Sequence, residues 1–240
     1  MTEGRPAGEG VARAAGSERR SSWEAVLRAR TWLSADHFEL EIERPDEFAF
    51  LSGQHIRILA PEGERDYSLV SGPADPLLRI YVRQVRGGEV STFLAEARPG
   101  IRLAFRGPFG HFVLHPSPRP RLWAASGTGI APFVSMARAG ASGHLLLHGV
   151  RRIERLHYAE FLAPGAAAYV ACLSEDERSG VPPHAGIEVF HGRVSDYLAG
   201  RLAAGRYDFY LCGSATMIRE ATAIIDARFP DSLVFSEVFF

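Results

Sequence analysis

Leu122-Trp123-Ala124-Ala125-Ser126-Gly127-Thr128-Gly129-Ile130-Ala131-Pro132 reads as a buried apolar strand that turns through glycines into a helix. The apolar run has strand length, the glycines free the turn, and Pro132 suits a first helical turn, where its missing N–H costs nothing. Such a turn points backbone N–H groups at the strand's carboxyl end and forms a cradle for an anion such as a phosphate. The same rhythm recurs downstream: His144 to Val150 with Leu156 to Leu162, Ala168 to Leu173 with Val194 to Leu202, Phe209 to Cys212 with Ala215 to Phe229, then Leu233 to Phe239. Strands alternating with helices predict a doubly wound α/β domain with a parallel sheet. Its ligands belong at the strands' carboxyl ends, where Thr128, Ser174 and Gly213 fall.

Upstream, His115-Pro116-Ser117-Pro118-Arg119-Pro120 is dense in proline and reads as a stiff linker. Before it come short β segments: Trp23 to Ala29, Phe38 to Glu43, Gln54 to Leu59, Arg65 to Val70, Leu77 to Val85, and Ile101 to Phe105. Gly, Pro and Ser punctuate them, and a helix over Val90 to Ala97 interrupts them, a spacing that predicts an antiparallel six-stranded β-barrel. The expected organisation is therefore a tail over 1–21, a barrel over 22–118 and a nucleotide-binding α/β domain over 119–240. The tail has no apolar periodicity and reads as disordered; Glu3, Glu9 and Glu18 argue against a transit peptide.

A formal net charge of -1 gives no overall attraction to nucleic acid or an anionic membrane. No apolar run is long enough to span a bilayer, so a cytoplasmic protein is expected, with no membrane partner and a monomeric state. Cys172 and Cys212 are the only cysteines, too few for an ordinary iron–sulfur cluster or a disulfide framework, and they fit a reducing compartment. His144 and His148 share a strand, where four residues separate side chains by roughly 13 Å, so no metal site is expected.

Two further segments carry chemistry. Arg65-Asp66-Tyr67-Ser68 offers a guanidinium for a diphosphate, a phenol ring for a flat aromatic ligand and a hydroxyl at its edge. Gly87-Gly88-Glu89-Val90-Ser91-Thr92 places glycines before hydroxyls at a helix start, a second small anion cradle.

Taken with their order, these motifs make the chain resemble the ferredoxin-NADP reductase superfamily, in particular the compact bacterial ferredoxin or flavodoxin reductases, from about Trp23 to Phe240. The resemblance implies FAD held by Arg65, Asp66, Tyr67 and Ser68, with Arg65 on the diphosphate, Tyr67 on the isoalloxazine and Ser68 near N5. It adds Tyr81 and Val82 on the ribityl and adenosine side, and Gly88, Glu89, Val90 and Ser91 as a second diphosphate segment. The nicotinamide loop is matched by Gly127, Thr128, Gly129 and Pro132, and the segment Cys212, Gly213 and Met217 puts Cys212 against the nicotinamide ring. Glu237, Phe239 and Phe240 match the family's ending, in which Phe239 covers the flavin and Phe240 lies towards the adenine. The implied catalytic group is Ser68, Cys212, Glu237 and Phe239.

NADP-using members place Ser-Arg where this chain has Ser174-Glu175, and a carboxylate there repels a 2′-phosphate and favours NADH. Arg178 and Arg193 are near enough in sequence to hold NADPH instead. The implied activity is electron transfer between NADH or NADPH and a separate ferredoxin or flavodoxin. The alternatives are the reductase component of an oxygenase system, a free-flavin reductase, and a non-catalytic electron-transfer subunit.

Overall fold

The structure, a computed structural model, describes residues 22–175 and 186–238. Arg178, Phe239, Phe240 and the 1–21 tail lie outside the described residues.

The first domain is an antiparallel six-stranded sheet of β1 (Ser22–Ser34), β2 (His37–Glu43), β3 (His55–Ala60), β4 (Gly63–Ser68), β5 (Leu77–Arg83) and β6 (Arg102–Phe109). Their order is β4-β3-β6-β1-β2-β5, and a bridge from Leu69 to Ile80 joins the two edges into a barrel. Closure removes the exposed strand edges that an open sheet would leave. Alternation sends Leu27, Leu40, Ile42, Ile56, Ile58, Ile80 and Phe105 into one core. Helix α1 (Glu89–Glu96) packs Val90 and Leu94 into that same core.

Residues 110–120 form no regular element before the second domain begins. It holds a parallel sheet of β7 (Arg121–Ser126), β8 (His144–Val150), β9 (Ala166–Leu173), β10 (Ile187–His191), β11 (Asp208–Gly213) and β12 (Leu233–Val238), in the order β10-β9-β8-β7-β11-β12. Helices α2 (Ala131–Arg138), α3 (Ala159–Leu162), α4 (Val194–Gly200) and α5 (Ala215–Arg228) complete it. Burial on both faces explains the continuous apolar strands, such as Leu122 to Ala125 and Phe209 to Cys212. The strand order reverses between β7 and β11, which makes the carboxyl ends of those strands the natural ligand crevice.

Several elements differ from the sequence reading, among them β6, which runs on to Phe109. β10 was not anticipated, because five residues give too short a pattern to separate from a loop. β1 runs to Ser34 rather than Ala29, since its far half pairs with β2. The helix expected over Leu156 to Leu162 shrinks to α3, because Tyr158 takes a left-handed φ of 64° that no α-helix accommodates.

A polar seam joins the domains. Tyr158 Oη donates to Glu39 Oε2 at 2.7 Å, Ser135 Oγ donates to the Ser71 carbonyl at 2.7 Å, and Arg155 pairs with Asp36. Tyr81 packs edge-on against Tyr158 with ring centres 5.3 Å apart, and its hydroxyl bonds to His157.

Candidate active site

A cleft of about 1120 Å³ lies between the barrel and the carboxyl ends of the parallel strands. The barrel contributes Arg65, Asp66, Tyr67 and Ser68 from β4, Tyr81 from β5, and Gly88 and Ser91 at the start of α1. The second domain contributes Gly127 and Thr128 from the turn after β7, Ser174 and Glu175 after β9, Arg193 before α4, and Gly213 and Met217 around the start of α5. The two segments far apart in the chain, Arg65 to Ser68 and Gly127 to Thr128, thus face one space.

Ser68 is 2% exposed and its Oγ has no hydrogen-bond partner among the described residues; Glu237 Oε2 is likewise buried and unpartnered among them. Buried polar atoms without partners are costly, so both are suited to a ligand edge that donates and accepts hydrogen bonds. Burial pushes the Tyr67 phenol up to about 12, against the opposing charge of Arg65, so the ring stays neutral. Burial also opposes the Asp66 carboxylate, but Arg57, bonded to it at 2.6 and 2.8 Å, holds its carboxyl below the usual range.

Two glycines let the second domain's backbones close. A Cβ on Gly129 would lie 2.2 Å from the Cys212 carbonyl oxygen. One on Gly213, whose φ is +145°, would lie 2.1 Å from Ser126 Oγ. The turn after β7 and the end of β11 therefore meet at backbone distance, the close approach that a dinucleotide-binding crevice needs. Gly127 holds the turn's left-handed position, with φ +55°.

Several anticipated side chains do not reach the cleft. Val82 is fully buried in the barrel core, because alternation along β5 sends it opposite to Tyr81. Val90 packs in that core too, and Glu89 is exposed, leaving Gly88 and Ser91 as the parts of that segment on the cleft wall. Gly129 and Pro132 support the turn from beneath. Cys212 is fully buried among Trp123, Ile130 and Tyr210, and Gly213 presents the wall in its place. Burial, then the neighbouring Glu237 charge, pushes the Cys212 thiol well up.

Sequence reading missed Arg151, Arg152, Asp36 and His37 on the cleft wall. Arg151 was findable, since it follows β8 directly at the carboxyl end of a parallel strand. It pairs with Glu175 at 3.3 Å.

Residues 24–114 match the oxidoreductase FAD-binding domain model and residues 124–223 match the oxidoreductase NAD-binding domain model. The chain belongs to the ferredoxin-NADP reductase family. Among curated members, it is 30% identical over 224 residues to the toluate 1,2-dioxygenase electron transfer component of Pseudomonas putida, covering 87% of this chain and 64% of that one. It is 40% identical over 153 residues to ferredoxin--NADP reductase B of Sorangium cellulosum, covering 58% and 63%. The match thus spans less than two thirds of these relatives' length. In fold, a family member from Neisseria gonorrhoeae with bound FAD and NADP superposes with a TM-score of 0.77 at 18% identity, covering 91% of this chain and 99% of that one. The Amycolatopsis cytochrome P450 reductase GcoB gives 0.76 at 25% identity, covering 92% and 71%. This ferredoxin-NADP reductase family member accordingly carries an FAD-binding and an NAD-binding domain, and the orphaned Ser68 and Glu237 atoms and the glycine contact fit those two cofactors. Among the described residues, no helix is long and apolar enough to cross a membrane.

Proposed function

We propose that the protein is an FAD-dependent reductase that takes hydride equivalents from NADH or NADPH and delivers electrons to a separate ferredoxin or flavodoxin. The observation that carries this reading is that Arg65 to Ser68 and Gly127 to Thr128 line a single interdomain cleft. FAD, when bound, would supply the redox chemistry, two-electron exchange with a nicotinamide and one-electron exchange with a carrier. The chain's own part is to bind, orient and shield. Arg65 supplies a guanidinium to the diphosphate, the neutral Tyr67 ring packs on the flavin, and Gly88 and Ser91 bind the remaining phosphate oxygens. Ser68 Oγ and Glu237 hold or receive a proton at the flavin edge. Gly127 and Thr128 bind the dinucleotide's diphosphate, while Gly213 and Met217 seat the nicotinamide over Cys212, whose buried thiol serves as packing.

Glu175 sets the coenzyme preference towards NADH, with Ser174 beside it. Its carboxylate repels a 2′-phosphate and also pairs with Arg151 at 3.3 Å, a cation that would otherwise be available to bind one. Arg193, pairing with Glu220 at 3.6 Å, and the exposed Arg152 are further cations on the cleft wall that could meet a phosphate.

The test is anaerobic mixing of the FAD-loaded protein with NADH or NADPH, followed by candidate carriers. Bleaching faster with NADH and reoxidation by a ferredoxin or flavodoxin are expected; a protein that takes up no FAD overturns the reading. The second reading, a reductase component of an oxygenase system, is supported by the similarity to the toluate 1,2-dioxygenase electron transfer component. Acceptor choice separates the two: electrons passing only to an oxygenase or its dedicated carrier select the second.

A further inference from the structure

We propose that His55, the first residue of β3, is a positioning residue that couples Glu237 to solvent and relays its proton, with Asp66 as the outer partner. The proposal rests on the flavin reading above.

His55 stands opposite Ser68 in the β3–β4 ladder, so the imidazole and the unpartnered hydroxyl project from the same face. The ring bridges two carboxylates. Nδ1 lies 3.4 Å from Glu237 Oε1, and Nε2 lies 3.8 Å from Asp66 Oδ2. The His55 and Glu237 side chains are each 16% exposed, whereas Asp66 is 38% exposed. The imidazole therefore connects an inner carboxylate, whose second oxygen is buried and unpartnered, to an outer one. A second cavity of about 320 Å³, lined by His55, Arg57, Arg65, Asp66 and Glu237, gives water access to the outer end. Gly110, at φ +93°, crosses the contact so closely that a Cβ there would lie 2.9 Å from His55 Nδ1 and 3.1 Å from Glu237 Oε1.

The surrounding charges leave this path open. On β3 itself Arg57 is committed to Asp66 and Glu64, and on β6 Arg106 faces Glu64 at 3.5 Å. On β4 Arg65 stands beside Asp66, and from β12 Glu237 is the group facing the ring. The two carboxylates thus stand at opposite nitrogens of one imidazole, the arrangement a proton relay requires. In the step, the Glu237 O–H bond breaks as an N–H bond forms at Nδ1, and the Nε2–H bond then breaks as its proton passes to Asp66 or water. No electrons change hands, and Glu237 is left anionic and ready to accept again.

Two measurements test this. Ring-nitrogen NMR of His55, in the protein without added cofactor, should show the Nδ1 signal changed by Glu237→Gln and the Nε2 signal by Asp66→Asn, because each alters the contact at that nitrogen. Signals unchanged by both overturn the coupling. In the FAD-loaded protein, His55→Gln should slow reoxidation by ferricyanide about tenfold more than it slows bleaching by NADH, below the usual range for removing a positioned proton-transfer group. The pH dependence of reoxidation should flatten, and added imidazole should restore most of the rate. Equal slowing of both steps without imidazole rescue overturns the relay. Should His55→Gln not fold, Gly110→Ala parts the pair while keeping the imidazole and should reproduce the selective slowing; an unchanged rate ratio overturns the relay. Absence of FAD uptake would instead overturn the proposed function and leave the NMR result standing.

Discussion

The Tyr158 hydroxyl donates to the Glu39 carboxylate at 2.7 Å, across the boundary between the two domains. Burial and the Glu39 charge both push the Tyr158 phenol well up, so it stays a donor throughout the physiological range. Tyr158→Phe removes that donor and leaves a mostly buried carboxylate short of one partner. A loss of about 1–3 kcal/mol is expected, read as a lower urea midpoint.

Glu175 and Arg151 form an exposed pair at the cleft end. Glu175→Ser frees Arg151 and removes the carboxylate's repulsion together. The expected outcome is a gain of about tenfold in kcat/KM for NADPH over NADH, the size of a single charge-assisted contact. A ratio unchanged in stopped-flow bleaching would place coenzyme choice elsewhere.

Gly129→Ala drives a Cβ into the Cys212 carbonyl at 2.2 Å, and backbone cannot move aside as a flexible side chain can. Nicotinamide binding should weaken at least about tenfold while FAD remains bound, because the clash lies wholly within the second domain. Titration of bound FAD fluorescence against that of the nicotinamide separates the two effects.

Stability should fall as acid is added from neutral pH. Burial holds His148 down to about 3, and His144 and His157 down to about 4, while His37 is lowered in the same direction, burial outweighing the raising effect of Asp36. Each of these groups binds its proton more readily unfolded, so each contributes stability fully above about pH 6.5 and loses it as pH falls towards its folded value. The slope is about 1.4 kcal/mol per pH unit for each group in that window. For Asp36, burial acts upward, but His37 and Arg155 bring its carboxyl down to about 2, so its contribution is full above about pH 4 and is lost between there and about pH 2. Urea midpoints at pH 7.5 and 5 should differ accordingly, and His157→Asn should lessen the difference.

Periodicity and punctuation suffice for the two-domain architecture, since β8 spans the same His144 to Val150 that its apolar run marks, and the glycine turn sits where strand gives way to helix. The cleft was legible through residues that act by backbone or by motif: Gly127, Thr128, Arg65 and Ser68. What escaped depends on contacts between residues distant in the chain. Nothing around His55 announces Glu237, which meets it from β12 in the other domain. Nothing in His157 or Tyr158 announces Tyr81 or Glu39, because their meeting requires the domains to be docked. Cys212 shows the converse, a motif residue whose side chain is turned inward by the two-residue alternation of its strand while its neighbour Gly213 takes the exposed position.

The polar seam bears on how such two-domain proteins can be recombined. Asp36, Glu39, Ser71 and Tyr81 on the barrel each answer a specific group on the other domain, namely Arg155, Tyr158, Ser135 and His157. A barrel joined to a foreign α/β domain would inherit these buried and partly buried groups without their counterparts, so the two domains are not interchangeable cassettes. Transplanting residues 153–158 and Ser135 along with the barrel is the smallest graft that keeps the joint whole.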